Sequence, residues 1–139
     1  MIMRLAIPIV WWRWRSYLLK NFCMPDIRLV TKKISIPELK EIAEERFGDM
    51  VKAVVDLKKG VMAIGAEMHV DEEALLLESG SKQSDLWGIN LYHEMPFPEM
   101  VEFDSMVNIR PRQNNRSRGV DSEETRNQIL AAVKNLLEM

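Results

Sequence analysis

The sequence predicts an α+β domain: a mainly antiparallel sheet of four or five strands with an N-terminal and a C-terminal helix packed on it. Alternating residue character predicts a strand at residues 51–57, and an almost wholly apolar run at residues 61–68 predicts a second strand that pairs with it as a hairpin around a Lys-Lys-Gly turn. Apolar residues at helical spacing predict a helix over residues 36–47 and a final helix that begins at Asp121. A chain of 139 residues that is 47% apolar fits one globular domain with a substantial core.

The first predicted elements are a strand at residues 27–30 and the helix at residues 36–47. Ser35 is placed to cap this helix, and Glu38 follows three residues later, as in a capping box. We expect Gly48 to end the helix, because glycine readily adopts the left-handed conformation found there.

Three further elements follow the hairpin. Acidic residues favour the start of a short helix over residues 71–77, and strands are predicted at residues 86–92 and 101–109. A polar loop over residues 110–119 leads into the final helix. The segment 69–84 is long enough for a crossover, so one parallel strand pair is compatible with the sequence.

Residues 1–23 differ from the domain that we place at residues 24–139. Their apolar run, residues 5–12, is eight residues long, whereas a bilayer span needs about 20, and no small-residue cleavage site follows it. Tryptophans among basic residues would suit an interfacial membrane anchor. We favour the alternative that translation starts naturally at Met24 and that the leader is an upstream extension.

Charge is strongly segregated along the chain. The net charge is −2, but residues 1–23 carry four bases and no acid, which leaves 15 bases and 21 acids in the domain. Residues 67–104 hold ten acids and one base, while residues 110–118 hold four arginines and no acid. An acidic domain with one basic loop argues against nucleic-acid binding, which usually shows a basic face.

Cysteine and histidine counts exclude further classes of site. A single cysteine, Cys23, cannot form an intramolecular disulfide or a cysteine-based zinc site, and the chain has only two histidines. The low cysteine count leads us to expect a cytoplasmic protein. The short apolar run of residues 5–12 leads us to expect no transmembrane segment.

Several long motifs resemble a small uncharacterised prokaryotic family, a domain of unknown function. The likeness covers about residues 27–137, and it implies no activity and no assigned site. It also supports Met24 as the natural start. The matching residues are Gly65-x-Glu67-x-His69-x-Asp71-Glu72-x-Ala74-x-Leu76-Leu77, Gly80-Ser81-Lys82-Gln83-x-Asp85-Leu86-Trp87-Gly88-x-Asn90-Leu91-Tyr92, Glu102-Phe103, and Asn108-Ile109-Arg110-Pro111-x-x-x-Asn115-Arg116-Ser117.

Glu67, His69 and Asp71 form the first candidate site. If the strand continues this far, the three side chains share one face and could hold a divalent metal. His93, at the end of the predicted strand 86–92, could supplement them only if this strand runs parallel to the predicted strand 61–68. The favoured interpretation is structural: the strand ends near Met68, Asp71 caps a helix, and His69 is partly buried and hydrogen-bonded.

The second candidate site is a basic loop ahead of the final helix. Arginine matches phosphate or carboxylate oxygens, and a helix N-terminus favours anions. The alternative is a solvated loop whose arginines pair with the acidic segment. The candidate anion-binding residues are Arg110, Arg112, Asn115, Arg116 and Arg118.

These patterns leave three hypotheses for function. We prefer a binding or regulatory module that recognises an anionic small molecule or an acidic protein through the loop from Arg110 to Arg118. The second is a metal-dependent hydrolase that uses Glu67, His69 and Asp71, and a divalent metal is the only cofactor considered. The third is a structural subunit that forms a homo-oligomer through its sheet.

Overall fold

The computed structural model describes residues 26–139, and the predicted leader of residues 1–23 lies outside them. Three single-turn 3-10 helices cover Gln83–Asp85, Met106–Asn108 and Pro111–Gln113. The strands are β1 (Arg28–Val30), β2 (Ile34–Ser35), β3 (Met50–Asp56), β4 (Val61–Ile64), β5 (Leu86–Tyr92), β6 (Val101–Glu102) and β7 (Leu137–Glu138). The helices are α1 (Ile36–Glu44), α2 (His69–Glu78) and α3 (Glu123–Leu136).

Five strands form an antiparallel sheet in the order β1-β4-β3-β5-β6, which confirms the predicted α+β class. The segment 69–84 joins β4 to β5, which lie on opposite sides of β3 rather than beside each other. A parallel pair exists elsewhere: β2 and β7 form a small second sheet, with Ile34 opposite Leu137.

The helices cover both faces of the main sheet. Val51, Ala53 and Val55 of β3 pack in the larger core, which also contains buried residues of α1 and α3. Val54 points to the other face, because side chains alternate along a strand. There it packs with Leu76 of α2. The N-terminal and C-terminal helices therefore share one face, and α2 covers part of the other.

Helix boundaries follow local capping chemistry. The Ser35 hydroxyl accepts a hydrogen bond from the Glu38 N–H at 3.2 Å, and Gly48 has a φ of 88°, both as predicted. The cap of α3 is Ser122 rather than Asp121, since the Ser122 hydroxyl accepts from the Thr125 N–H. The Asp121 carboxylate instead accepts hydrogen bonds from Ser117 and the Arg116 N–H.

Two predicted strands are shorter than expected. β4 ends at Ile64 rather than continuing to residue 68, because the next residue, Gly65, turns the chain with a φ of 96°. β6 stops at Glu102 rather than continuing to residue 109. The chain beyond it leaves the sheet, and the side chain of Asn108 takes over part of the pairing with β5.

Asn108 and Gly88 explain this departure. The Asn108 amide accepts a hydrogen bond from the Gly88 N–H at 2.8 Å and donates one to the Gly88 carbonyl at 2.9 Å. A Cβ atom on Gly88 would lie 2.6 Å from the Ser105 side chain. Glycine at this position therefore lets Ser105 and Val107 pack directly against β5.

Among residues 26–139, no helix is long and apolar enough to cross a membrane.

Candidate functional site

A pocket lined by both polar and apolar side chains occupies the part of the sheet that α2 leaves uncovered. It lies between the first residues of α2 and the strands β3, β5 and β6, next to residues 104–107, and its volume is about 390 Å³. This size is suitable for a small-molecule ligand. Its polar lining includes Lys52, His69, Asn90, Tyr92, Glu102 and Arg118.

Three of these residues form a row across adjacent strands. Lys52 lies opposite Asn90, and Asn90 lies opposite Glu102. Directly opposed residues share one face of an antiparallel sheet, and neighbouring strands are about 4.8 Å apart. The pocket floor therefore presents a cation, an amide and an anion in that order.

Asn90 is nearly buried, with 5% of its surface exposed. Its Nδ2 atom donates to Glu102 Oε1 at 2.8 Å and to the Asp104 carbonyl at 3.4 Å. Its Oδ1 atom is buried without a hydrogen-bond partner among residues 26–139. A buried acceptor in this state costs about 1–3 kcal/mol.

His69 begins α2 and is held by the sheet. Its Nε2 atom lies 2.8 Å from the Ile89 carbonyl oxygen. Because a carbonyl can only accept, Nε2 carries a proton and donates it, which leaves Nδ1 as an acceptor in the neutral ring. Burial lowers the pKa of His69, although the hydrogen bond to Ile89 opposes that shift, as does the nearby Asn90 amide.

The two poles of the row differ in how well their charges are partnered. Glu102 accepts from Asn90 and from the Tyr92 hydroxyl at 3.4 Å, and burial together with this negative charge raises the pKa of Tyr92. Lys52 is half-buried and has no ion pair in the described part of the chain. Its Nζ atom lies 5.2 Å from the centre of the Phe47 ring.

The residues proposed as metal ligands do not share a strand face. Because β4 ends at Ile64, Glu67 lies in the connection to α2, whereas His69 and Asp71 lie in the first turn of that helix. Glu67 has a side chain that is 72% exposed and lies 3.9 Å from Arg46. No group of three or more His, Cys, Asp or Glu residues within residues 26–139 could hold a metal ion.

His93 does not add to this set, although β4 and β5 run in the same direction because both are antiparallel to β3. Its Nε2 atom lies 3.0 Å from the Gly48 carbonyl oxygen. The placement of His69 instead matches the structural interpretation, in which the ring is buried and hydrogen-bonded.

The basic loop is built around two buried members of the predicted anion site. Arg110 donates hydrogen bonds to the carbonyls of Gln83 and Leu86, and its guanidinium lies 4.2 Å from the centre of the Trp87 ring. The Asn115 amide donates to carbonyls of residues 108, 117 and 119 and accepts from the Asp121 N–H. Asn115 uses both ends of its amide to hold the loop, and Arg110 uses both terminal nitrogens, while its Nε atom is buried without a partner among residues 26–139.

The remaining arginines point to different surroundings. Arg112 and Arg116 are exposed. Arg118 lines the sheet pocket, and its Nε atom donates to Asp104 Oδ1 at 2.7 Å. This pair is consistent with the alternative in which the loop neutralises the acidic segment. The five predicted residues therefore do not form one anion-binding surface.

A second cavity, of about 430 Å³, lies between the loop and the N-terminal part of α3. Among the described residues that line it, Asp85 is the single charged one, and the others include Gln113, Asn114 and Gln128. No arginine of the basic loop faces this cavity.

Sequence reasoning missed Lys52, Asn90 and Glu102 as a group. Their alignment depends on which strands are neighbours and in what register, and the residue pattern along a single strand does not show either. The available signal was Asn90, an amide in the middle of an otherwise apolar strand. Such a residue is expected to be buried, so its hydrogen bonds need an explanation.

Comparison with known proteins agrees with the resemblance seen in the sequence. A family profile described as protein of unknown function (DUF5674) matches residues 28–136. No curated protein and no solved structure matches the chain. The chain therefore belongs to the DUF5674 family.

Proposed function

We propose that this domain is a cytoplasmic binding module that recognises the anionic group of a small molecule in the sheet pocket. The observation that carries the proposal is Lys52, a half-buried cation on a central strand with no ion pair in the described chain. A carboxylate or phosphate beside Lys52 would gain a charge-assisted hydrogen bond. The proposal keeps the anionic ligand expected from the sequence but moves its main contact from the basic loop to β3.

Arg118 supports the same assignment from the other side of the pocket. Only its Nε atom is engaged with Asp104, and the remaining guanidinium N–H groups have no hydrogen-bond partner within residues 26–139. Among the arginines of the loop, Arg118 is the one that lines this pocket. It therefore adds a second donor for an anion without a rearrangement of the buried Arg110 and Asn115.

Calorimetric titration of the purified protein with valerate and inorganic phosphate tests the proposal. Lys52→Met keeps most of the aliphatic length of lysine and removes its charge, so we expect it to weaken binding about tenfold or more. Lys40→Met is the matched control, because Lys40 is exposed on α1 and lies outside the pocket.

Wild-type binding that Lys52→Met reduces and Lys40→Met leaves unchanged would support the proposal. Equal binding by wild type and Lys52→Met, or no binding of either anion by wild type, would contradict it.

A further inference from the structure

The end of the pocket opposite Lys52 is rich in hydrogen-bond acceptors. Asn90 Oδ1 is buried and unpartnered, and the Asn90 amide already donates to Glu102. An acceptor of this kind regains the cost of its desolvation when a ligand supplies an N–H or O–H donor. Lys52 is a cationic donor and therefore favours an acceptor group of the ligand, whereas the Asn90 end favours a donor group.

His69 adds a further acceptor. Its Nε2–H is committed to the Ile89 carbonyl, so Nδ1 of the neutral ring can only accept. The position of α2 fixes this tautomer, because His69 is anchored to β5 at the point where the helix begins. The neutral imidazole therefore supplies no donor to Asn90 Oδ1, whereas a protonated ring would be stabilised by a hydrogen bond to the Asn90 side chain.

Negative charge is likewise concentrated at the end of the pocket opposite Lys52. Glu102 and Asp104 lie beside Asn90, and Arg118 partly offsets Asp104. Glu102 has no ion pair in the part of the chain that the structure describes. A cationic donor would meet both an unpaired carboxylate and the free amide oxygen.

We infer that the ligand is a zwitterion, with its carboxylate at Lys52 and a protonated amine between Asn90 Oδ1 and Glu102. The anionic half of this inference rests on the proposed function. Lys52 and Glu102 lie on β3 and β6, the two neighbours of β5. Their backbones are thus about 10 Å apart, and an amine joined to the carboxylate by an aliphatic chain is the probe chosen to reach both ends.

Three probes of equal carbon number separate the two ends of the ligand: δ-aminovalerate, valerate and n-pentylamine. We expect wild type to bind δ-aminovalerate about tenfold or more tightly than valerate, because the amine adds a charge-assisted hydrogen bond. Glu102→Gln should remove most of this advantage and leave valerate binding nearly unchanged. Glu99→Gln is the control, since Glu99 is exposed and outside the pocket.

A direct measurement covers the case in which Glu102→Gln perturbs the fold. In NMR spectra of wild type, δ-aminovalerate should shift the side-chain amide signals of Asn90, and valerate should shift them much less. Equal shifts by the two probes would overturn the zwitterion.

The outcomes distinguish this inference from the proposed function. If valerate binds as tightly as δ-aminovalerate, the zwitterion is wrong and the anion-binding module stands. If n-pentylamine binds as tightly as δ-aminovalerate and Lys52→Met changes nothing, the anion-binding proposal is wrong. Failure of all three probes to bind would contradict the zwitterion, and failure of inorganic phosphate to bind as well would contradict both.

Discussion

Buried polar residues in this domain serve two different purposes at the scale of single residues. Asn115 satisfies backbone groups with both ends of its amide, as expected for a structural residue. Asn90 leaves its oxygen unpartnered inside a pocket, and Glu72 buries a carboxyl group with one free oxygen. These two side chains carry a desolvation cost that the rest of the described chain does not offset.

Glu72 gives a prediction about stability and pH. It is 0% exposed, and its Oε2 atom accepts a hydrogen bond from the Ala66 N–H at 3.1 Å. Burial raises the pKa of Glu72 well above its ordinary value of 4.5. The folded state therefore holds this proton to higher pH than the unfolded state, so the contribution of Glu72 to stability falls as the pH rises above 4.5.

Glu72→Gln keeps an oxygen acceptor for Ala66 and removes the ionisation. We expect the variant to be more stable than wild type at neutral pH, by a margin that shrinks as the pH falls towards 4.5. Urea unfolding of both proteins across this range checks the prediction. Glu78→Gln, exposed on the same helix, should show no such trend. A margin independent of pH would contradict the assignment.

At the scale of elements, β5 is paired differently on its two sides. β3 lies beside it over all seven residues, whereas β6 pairs with it only at Asn90 and Leu91. At Gly88 the missing partner strand is replaced by the Asn108 side chain. The early end of β6 leaves room for residues 104–107 to form one wall of the pocket.

Asn108→Ala tests this replacement. It would leave the buried N–H and carbonyl of Gly88 unpaired, and we expect a loss of roughly 1–3 kcal/mol in the free energy of unfolding. Hydrogen exchange at the Gly88 amide should accelerate more than at other β5 amides. Asn127→Ala, an exposed position on α3, is the control and should cost little. Unchanged exchange at Gly88 would show that the side chain is not needed for pairing.

Prediction from sequence succeeded where neighbours along the chain decide the outcome. The Ser35 cap, the left-handed Gly48 and the hairpin turn depend on residues within a few positions of one another. It failed where the partner is distant. Arg110 was predicted to bind an anion or to pair with the acidic segment, but its acceptors are carbonyls 24 and 27 residues earlier. The Lys52–Asn90–Glu102 row likewise required the strand order.

At the scale of the whole molecule, the pairing of β2 with β7 joins the two ends of the described fold. β2 runs directly into α1 and β7 follows α3, so the pair ties together the two helices that share one sheet face. Ile34 and Leu137 are both almost fully buried, at 4% and 1% exposure. This small sheet is thus part of the main core.

Leu137→Ala should destabilise the domain by about 2–5 kcal/mol, because it removes a fully buried side chain. Amide exchange should accelerate in α1 as well as in α3, since β2 loses its partner's packing. Met139→Ala is the matched control, because Met139 is 60% exposed. Faster exchange confined to α3 would contradict the link between the two helices.

The β2–β7 pair also has a consequence for the order of events during synthesis. Ile34 and Leu137 are 103 positions apart (137 − 34), and the ribosome makes Ile34 first. The hairpin of β3 and β4 needs only nearby residues, so it can form while the chain is still growing. β2 must wait for nearly all of the domain to be made, and pairing across such a long separation is intrinsically slow. In the nascent chain, β2 at the start of α1 would therefore lack its partner strand β7 until synthesis has passed Leu137.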